Sequence, residues 1–110
     1  MSKEDIILTD LEITGKRGPF RIKMLEYDEA METLFNTKPD DKAPLMLRMA
    51  QACLVNGSGK PVYGPDQLDK MKKDIRPAAT LMAIGLQAYK LNEMDKLIEL
   101  GSKVETAVKN

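Results

Sequence analysis

The most apolar stretch of the chain lies between residues 77 and 91, PAATLMAIGLQAYKL. Its apolar residues recur at steps of three and four, the spacing that puts side chains on one face of a helix. The residues of this face are Ala78, Leu81, Met82, Gly85, Leu86 and Tyr89. Pro77 suits the first position, because its missing N–H would be unpaired there anyway. We predict a helix over residues 77–91 that is apolar on nearly all sides and must be covered on nearly all sides.

A second segment, residues 43–54, shows the same character. Pro44 falls in its first turn, and only Arg48 and Gln51 are polar among the residues that follow. A domain of this size leaves roughly a third of its unfolded-chain surface exposed. It is therefore difficult for such a domain to bury two helices of this kind completely. We therefore select a candidate partner-binding surface from the two helices. Its residues are Leu45, Met46, Met49, Leu81, Met82, Leu86 and Tyr89.

The N-terminal quarter of the chain has a different pattern, in which apolar and polar residues alternate. This alternation predicts two strands, residues 7–13 and 20–24, and the turn residues of segment 15–19 join them in a β-hairpin with one buried face. Asp28 can cap a helix that extends to Phe35. The hairpin needs support from helices or from another subunit, because an isolated hairpin is marginal in water.

The remaining elements are shorter or less regular. Residues 36–44 form a polar connector, and a short helix starts at Pro65 or Asp66. Asn92 caps the last helix, in which Gly101 marks a stop or a weak joint.

These elements predict an α+β fold that is predominantly helical, with an N-terminal β-hairpin followed by four to five helices. We expect a single domain over residues 1–110. It comprises the hairpin region 6–25, a helical body 28–100 and a C-terminal tail 101–110 that can fray.

Composition narrows the function further. Seventeen basic residues balance seventeen acidic ones, so no net charge attracts a nucleic acid or an anionic membrane. Histidine is absent and Cys53 is the only cysteine, which excludes intramolecular disulfides, Cys/His zinc sites, Ser-His-Asp triads and Cys-His dyads. We expect no catalytic residue, no metal and no cofactor, and we expect Cys53 to be a small buried hydrophobe in a reducing compartment. The eight methionines suit either core filling or an adaptable binding surface.

The glycine turn at residues 56–60 invites two readings that its residues do not support. As a phosphate loop it lacks the first glycine, since Leu54 stands there, and Pro61 stands where Ser or Thr should follow the lysine. As a calcium loop starting at Asn56, it has Pro61 at the invariant glycine and Gln67 at the bidentate glutamate. We therefore interpret it as a turn.

The order of these features resembles that of the tail assembly chaperones of long-tailed, siphovirus-type bacteriophages. A hairpin ends in a helix, and then come the helix at 45–55, a turn with a Gly-Lys-Pro core at 56–63, and the short helix from Pro65. The helix from Pro77 closes on Asn92. The resemblance covers roughly residues 42–95.

This resemblance implies a protein without catalytic activity that coats the hydrophobic tape measure protein, keeps it soluble and helps to recruit tail tube subunits. It also implies a homo-oligomer that acts in the host cytoplasm and is missing from the mature virion. Neither a nucleic acid nor a membrane is an expected partner.

Two alternatives remain open at this point. One is another phage morphogenesis protein, such as a head–tail connector or a minor tail component. The other is a small helix-turn-helix regulator that uses residues 64–89, although its second helix offers only Thr80, Gln87 and Lys90 as polar contacts.

Overall fold

The computed structural model of the protein describes residues 4–13, 15–35 and 42–109. The elements follow one another as β1 (Ile6–Leu8), β2 (Phe20–Ile22), α1 (Tyr27–Phe35), α2 (Lys42–Cys53), β3 (Leu54–Val55), α3 (Leu68–Asp74), α4 (Ala78–Leu91) and α5 (Met94–Lys109). The predicted α+β class, with an N-terminal hairpin followed by helices, is confirmed. Most of the predicted connector, residues 36–41, lies outside the described residues, as does Asn110.

The three strands form an antiparallel sheet in the order β1-β2-β3. The hairpin pairs Ile6 with Ile22 and Leu8 with Phe20, so its first strand is shorter and starts earlier than the predicted 7–13. The alternation continues as far as Ile13, which is buried although it lies outside the strand. Burial of alternate side chains in an irregular segment therefore accounts for part of the pattern that predicted a strand.

The third strand was not predicted. Leu54 was placed at the end of the second apolar helix, but the helix ends at Cys53 and the chain pairs at once with β2. The far side of β3 is also occupied, because the Val62 N–H donates to the Leu54 carbonyl at 3.1 Å. Only β1 is left with a side that no described strand covers.

Helices α2 and α4 approach each other closely at Gly85. A Cβ atom built at Gly85 would lie against the Met46 carbonyl, 2.8 Å from its carbon atom. Since no side chain fits there, glycine allows the two helix backbones to pack against each other. The two most apolar helices of the sequence therefore cover one another.

Around this contact the buried side chains form one cluster, to which every layer of the fold contributes. Its larger members are Phe20, Ile22, Leu45, Met49, Leu54, Tyr63, Met71, Ile75, Leu81, Ile84, Leu91 and Met94. Cys53 is fully buried among them, as expected from the sequence.

Asn92 closes α4, as the order of the elements implied, but it does not cap the last helix as predicted. It follows the last residue of α4, and its backbone N–H and its Nδ2 both donate to the Ala88 carbonyl, at 3.1 and 2.9 Å. Its Oδ1 accepts the Leu25 N–H at 2.6 Å. The last helix begins only at Met94. Asn92 therefore joins the end of α4 to the chain between the hairpin and α1, a role that requires tertiary contact.

Two other boundaries differ from the prediction. Helix α3 begins at Leu68 because the preceding residues form a turn, closed by hydrogen bonds in both directions between Gly64 and Gln67 at 2.8 and 3.0 Å. Helix α5 passes through Gly101 without a stop and continues to Lys109.

Candidate functional site

The seven residues predicted to bind a partner fall into two groups. Four of them, Leu45, Met46, Met49 and Leu81, are buried in the core. A partner cannot reach these four without opening the fold. The other three remain accessible: Met82 is 41% exposed, Leu86 is 43% exposed and Tyr89 is half-buried.

Helix geometry explains why the set divides in this way. The face of α4 that carries Gly85 turns towards α2 and buries Leu81, Ile84 and Ala88. Met82 and Leu86 lie on the opposite face, away from the core. Because both faces are apolar, periodicity in the sequence could not distinguish them, and the distinction comes only from the contact at Gly85.

The accessible face forms a continuous apolar strip along α4. Ala79, Met82, Ala83 and Leu86 are all exposed and follow one another at i, i+3, i+4 and i+7, and we call them the α4 strip. This is the spacing with which two helices present apolar side chains to each other. Methionine at its centre gives the strip an adaptable side chain.

Tyr89 lies at the end of the strip, where α4 meets α5. Burial raises the pKa of its hydroxyl, and the nearby carboxylate of Asp95 raises this pKa further. The hydroxyl therefore stays protonated at neutral pH and can donate a hydrogen bond to a partner that covers the strip.

Other large apolar side chains are exposed outside the strip. They are Ile7 on β1, Met24 after β2, Tyr27 at the start of α1 and Leu100 on α5. These residues were not selected from the sequence, because they lie outside the two helices that are apolar on nearly all sides. Ile7 is 67% exposed and belongs to the open edge of the sheet.

A cleft of about 230 Å³ lies between α1, α2 and the segment around Tyr63. Two of its polar side chains make contacts within the chain. Arg48 Nη1 donates to the Pro65 carbonyl at 3.1 Å, and Gln51 Nε2 donates to the Tyr63 carbonyl at 3.1 Å. These bonds attach the segment after the glycine turn to α2, so Arg48 and Gln51 have a structural role.

Glu29 also lines this cleft, and its charge is balanced. Lys23 Nζ donates to Glu29 Oε2 at 3.1 Å, and this bond lowers the pKa of the carboxyl. A glutamate that is stably ionised is a poor general acid at neutral pH. The cleft thus provides no proton donor at this position.

The one cysteine is chemically inert in this setting. Burial raises the pKa of the Cys53 thiol to about 12, so the thiolate that acts as nucleophile or metal ligand is not formed at neutral pH. Asn92 Nδ2 lies 3.5 Å from its sulfur atom. Cys53 therefore contributes to packing and not to redox or nucleophilic chemistry.

The Tyr63 side chain is contacted both at its hydroxyl and over its ring. Its hydroxyl donates to Asp74 Oδ2 at 2.8 Å, and Lys16 Nζ lies 5.4 Å from the centre of its ring. Burial and the Asp74 carboxylate both raise the pKa of Tyr63. The arrangement connects the hairpin turn, the 61–65 segment and α3, contacts that the sequence analysis did not predict.

The glycine turn closes on itself. Asn56 Oδ1 accepts the backbone N–H groups of Ser58 and Lys60 at 2.9 and 3.1 Å, and Gly59 adopts a positive φ of 79°. An oxygen engaged in this way stabilises the turn and is not free to bind a cation. Among the residues described, no three His, Cys, Asp or Glu side chains come together as metal ligands would.

The fold and the strip thus define a small α+β protein with an apolar helix face open to a partner. Comparison with protein families, with curated proteins and with solved structures gives no match to this chain. None of the helices within the described ranges combines the length and the apolar character needed to cross a membrane.

Proposed function

We propose that this protein is a tail assembly chaperone of a long-tailed bacteriophage. It binds the tape measure protein, keeps it soluble in the host cytoplasm and helps to recruit tail tube subunits, without catalysis and without a cofactor. It leaves before the virion matures. The resemblance over residues 42–95 supports this proposal, and so does the α4 strip.

The α4 strip is the observation that carries the proposal. A tape measure protein is long, helical and apolar, and it aggregates if its apolar faces remain in water. An exposed strip with helical spacing can cover such a face by packing one amphipathic helix against another. The strip is also free of charged residues between Ala79 and Leu86, so the contact buries no unpaired charge there.

The strength of a single contact is limited. Fully burying a Leu or Met side chain contributes about 1.5–3 kcal/mol, and Met82 and Leu86 are already more than half buried. The two together add about 2 kcal/mol, which supports only weak association through one strip. Many copies along one tape measure chain would bind strongly through multivalency, which fits a coating protein that also self-associates.

Co-expression with the phage's tape measure protein tests the proposal. We expect the wild-type chain to keep the tape measure protein in the soluble fraction and to elute with it. The double variant Met82→Asp, Leu86→Asp should stay folded and lose this ability. Tyr27→Asp is the control, because Tyr27 is a large exposed side chain on α1, outside the strip, and should be replaceable without loss.

Two results would contradict the proposal. One is a tape measure protein that stays insoluble with the wild-type chain. The other is detection of the chain in purified mature virions, where a morphogenesis protein that persists in the tail would be found.

A further inference from the structure

The sheet has one open edge, and the hydrogen bonds of its central strand show which groups face that edge. The Lys23 N–H donates to the Cys53 carbonyl at 2.9 Å, on the side of β3. Residues alternate in an antiparallel ladder, so Arg21 also points its backbone groups towards β3, while Phe20 and Ile22 point theirs towards β1.

The same alternation fixes β1. Ile6 and Leu8 face Ile22 and Phe20 in the register and share hydrogen bonds with them. Ile7 lies between them, and its N–H and C=O therefore point away from β2. No other described strand pairs with β1, so these two groups face the open edge.

A groove of about 680 Å³ runs beside this edge, between β1 and helix α4. Residues 6–12 line one side, and Arg76, Thr80, Ala83, Ile84 and Gln87 line the other. A strand added to β1 would enter this groove. Its alternate side chains would extend the buried layer of Phe20 and Ile22 towards Ala83 and Ile84, where the lining is apolar.

The charges around the edge determine which chain can occupy it. Asp10 and Glu12 line the groove, are exposed, and have no ion-pair partner among the described residues. Asp5 is balanced by Arg21, whose Nε lies 3.6 Å from Asp5 Oδ2. Arg76 on the other side of the groove carries one positive charge against these two carboxylates, so the lining keeps a net negative charge. This charge favours a segment that carries lysine or arginine.

A second copy of the chain does not fit the same edge. Two copies of β1 paired antiparallel about Ile7 would place Glu4 opposite Asp10, and Asp5 opposite Thr9. Like charges directly opposite each other destabilise a strand pair. The charges on this edge thus disfavour pairing with a second copy of β1, while a basic segment can still pair with it.

We infer that the open edge of β1 and the adjoining groove are a docking site for an extended segment of another protein, with alternating apolar residues and a basic residue for Asp10 and Glu12. The segment adds a fourth strand to the sheet. This site meets the α4 strip at Ala83, but it binds an extended segment and not a helix. Its peptide test does not involve the tape measure protein, so its outcome is independent of the proposed chaperone function.

Binding of a fluorescent peptide, Lys-Val-Thr-Val-Thr-Val-Lys, measured by anisotropy, tests the inference. Ile7→Pro removes only the N–H that faces the edge, and proline is tolerated on an edge strand in that position. We expect Ile7→Pro to weaken binding about tenfold, through the lost hydrogen bond and the bulk of the ring. Ile7→Thr keeps the N–H and should weaken binding less than about threefold.

Charge provides a second, independent readout. A peptide with glutamate in place of both lysines should bind at least about tenfold more weakly than the lysine peptide at low salt. The variant Asp10→Asn, Glu12→Gln should reduce the difference between the two peptides. Circular dichroism would verify that each variant is folded.

Three outcomes would overturn the inference. The first is equal binding of the lysine peptide by wild type and folded Ile7→Pro. The second is no binding by wild type up to about 1 mM, where even a weak site of this kind should fill. The third is a wild-type dimer that Ile7→Pro dissociates, which would show that the edge holds a second copy.

Discussion

Helices α2 and α4 are alike in sequence and differ in the fold. Both are apolar on nearly all sides, but α2 lies under the sheet, α1, α3 and α4, and its large apolar side chains are buried or half-buried. Helix α4 packs against α2, α5 and β2, and its outer face stays open at Met82 and Leu86. An apolar composition therefore predicts that a helix must be buried. Only the tertiary contacts show which of its faces are buried within this chain and which are left for another protein.

The strongest test of this difference compares two leucines on α4. Leu81→Asp puts a carboxylate at a site that is 5% exposed, and we expect it to lower the free energy of unfolding by about 5 kcal/mol or more. This is enough to unfold a domain of ordinary stability. Leu86→Asp, at a site 43% exposed, should lower the free energy of unfolding by only about 1–2 kcal/mol, the part that comes from the buried portion of the leucine.

Circular dichroism during urea unfolding measures both variants. Similar losses of stability in the two would contradict the assignment of one leucine to the core and the other to the surface.

The contact that separates the two faces of α4 can be tested at Gly85. Gly85→Ala would push α2 and α4 apart, because the new methyl group meets the Met46 backbone. We expect it to lower the free energy of unfolding by about 3 kcal/mol. Gly101→Ala is the matched control, since its methyl group meets nothing within 4 Å. Alanine is a better helix former than glycine, so this control should stabilise α5 by up to about 1 kcal/mol. Unchanged stability of Gly85→Ala would show that the helices are not in close contact.

A smaller effect is expected at the junction that follows α4. Asn92→Ala removes the acceptor for the Leu25 N–H and the side-chain donor to the Ala88 carbonyl. We expect it to lower the free energy of unfolding by about 2 kcal/mol. Lys96→Ala serves as the control, because it breaks the exposed Lys96–Glu93 pair and should leave the free energy of unfolding almost unchanged. If Asn92→Ala were as stable as this control, Asn92 would not join the hairpin region to α4.

The smallest predicted effect is a pH dependence of the free energy of unfolding that comes from the Cys53 thiol. Its pKa is about 12 in the folded chain and close to 9 in an unfolded one, so the unfolded state loses the proton first as the pH rises. The folded state is therefore favoured fully below pH 9 and progressively less above it. Between pH 8 and 10 we expect the free energy of unfolding to fall by about 1 kcal/mol because of this group. Cys53→Ala should lack this part of the slope in urea unfolding measured across that range, and an unchanged slope would contradict the burial of the thiol.

The sequence predicted most of the helices because their signals are local. The spacing of apolar residues between 77 and 91 located α4 to within one residue, and Pro44 fell in the first turn of α2 as expected. Strand β3 was missed because Leu54 and Val55 continue the apolar run of α2 without a break. A helix and a strand that follow each other directly leave no turn residues to mark the boundary.

The candidate surface was predicted only in part, for a non-local reason. Four of its seven residues lie in the core, and the position that decides this, Gly85, was interpreted as one more apolar residue of the helix face. A glycine within an apolar helix can indicate close contact with another backbone, but the sequence does not show which helix makes that contact. The role of Asn92 depends in the same way on Leu25, which is distant along the chain.

The central claim is that the outer face of α4 is an association surface, and the solution mass of the purified chain tests it most directly. Light scattering coupled to size exclusion should show a mass that grows with concentration for wild type and for Tyr27→Asp. The folded double variant Met82→Asp, Leu86→Asp should remain a monomer over the same range. A wild-type chain that is monomeric at every concentration, or a double variant that associates as strongly as wild type, would contradict the claim.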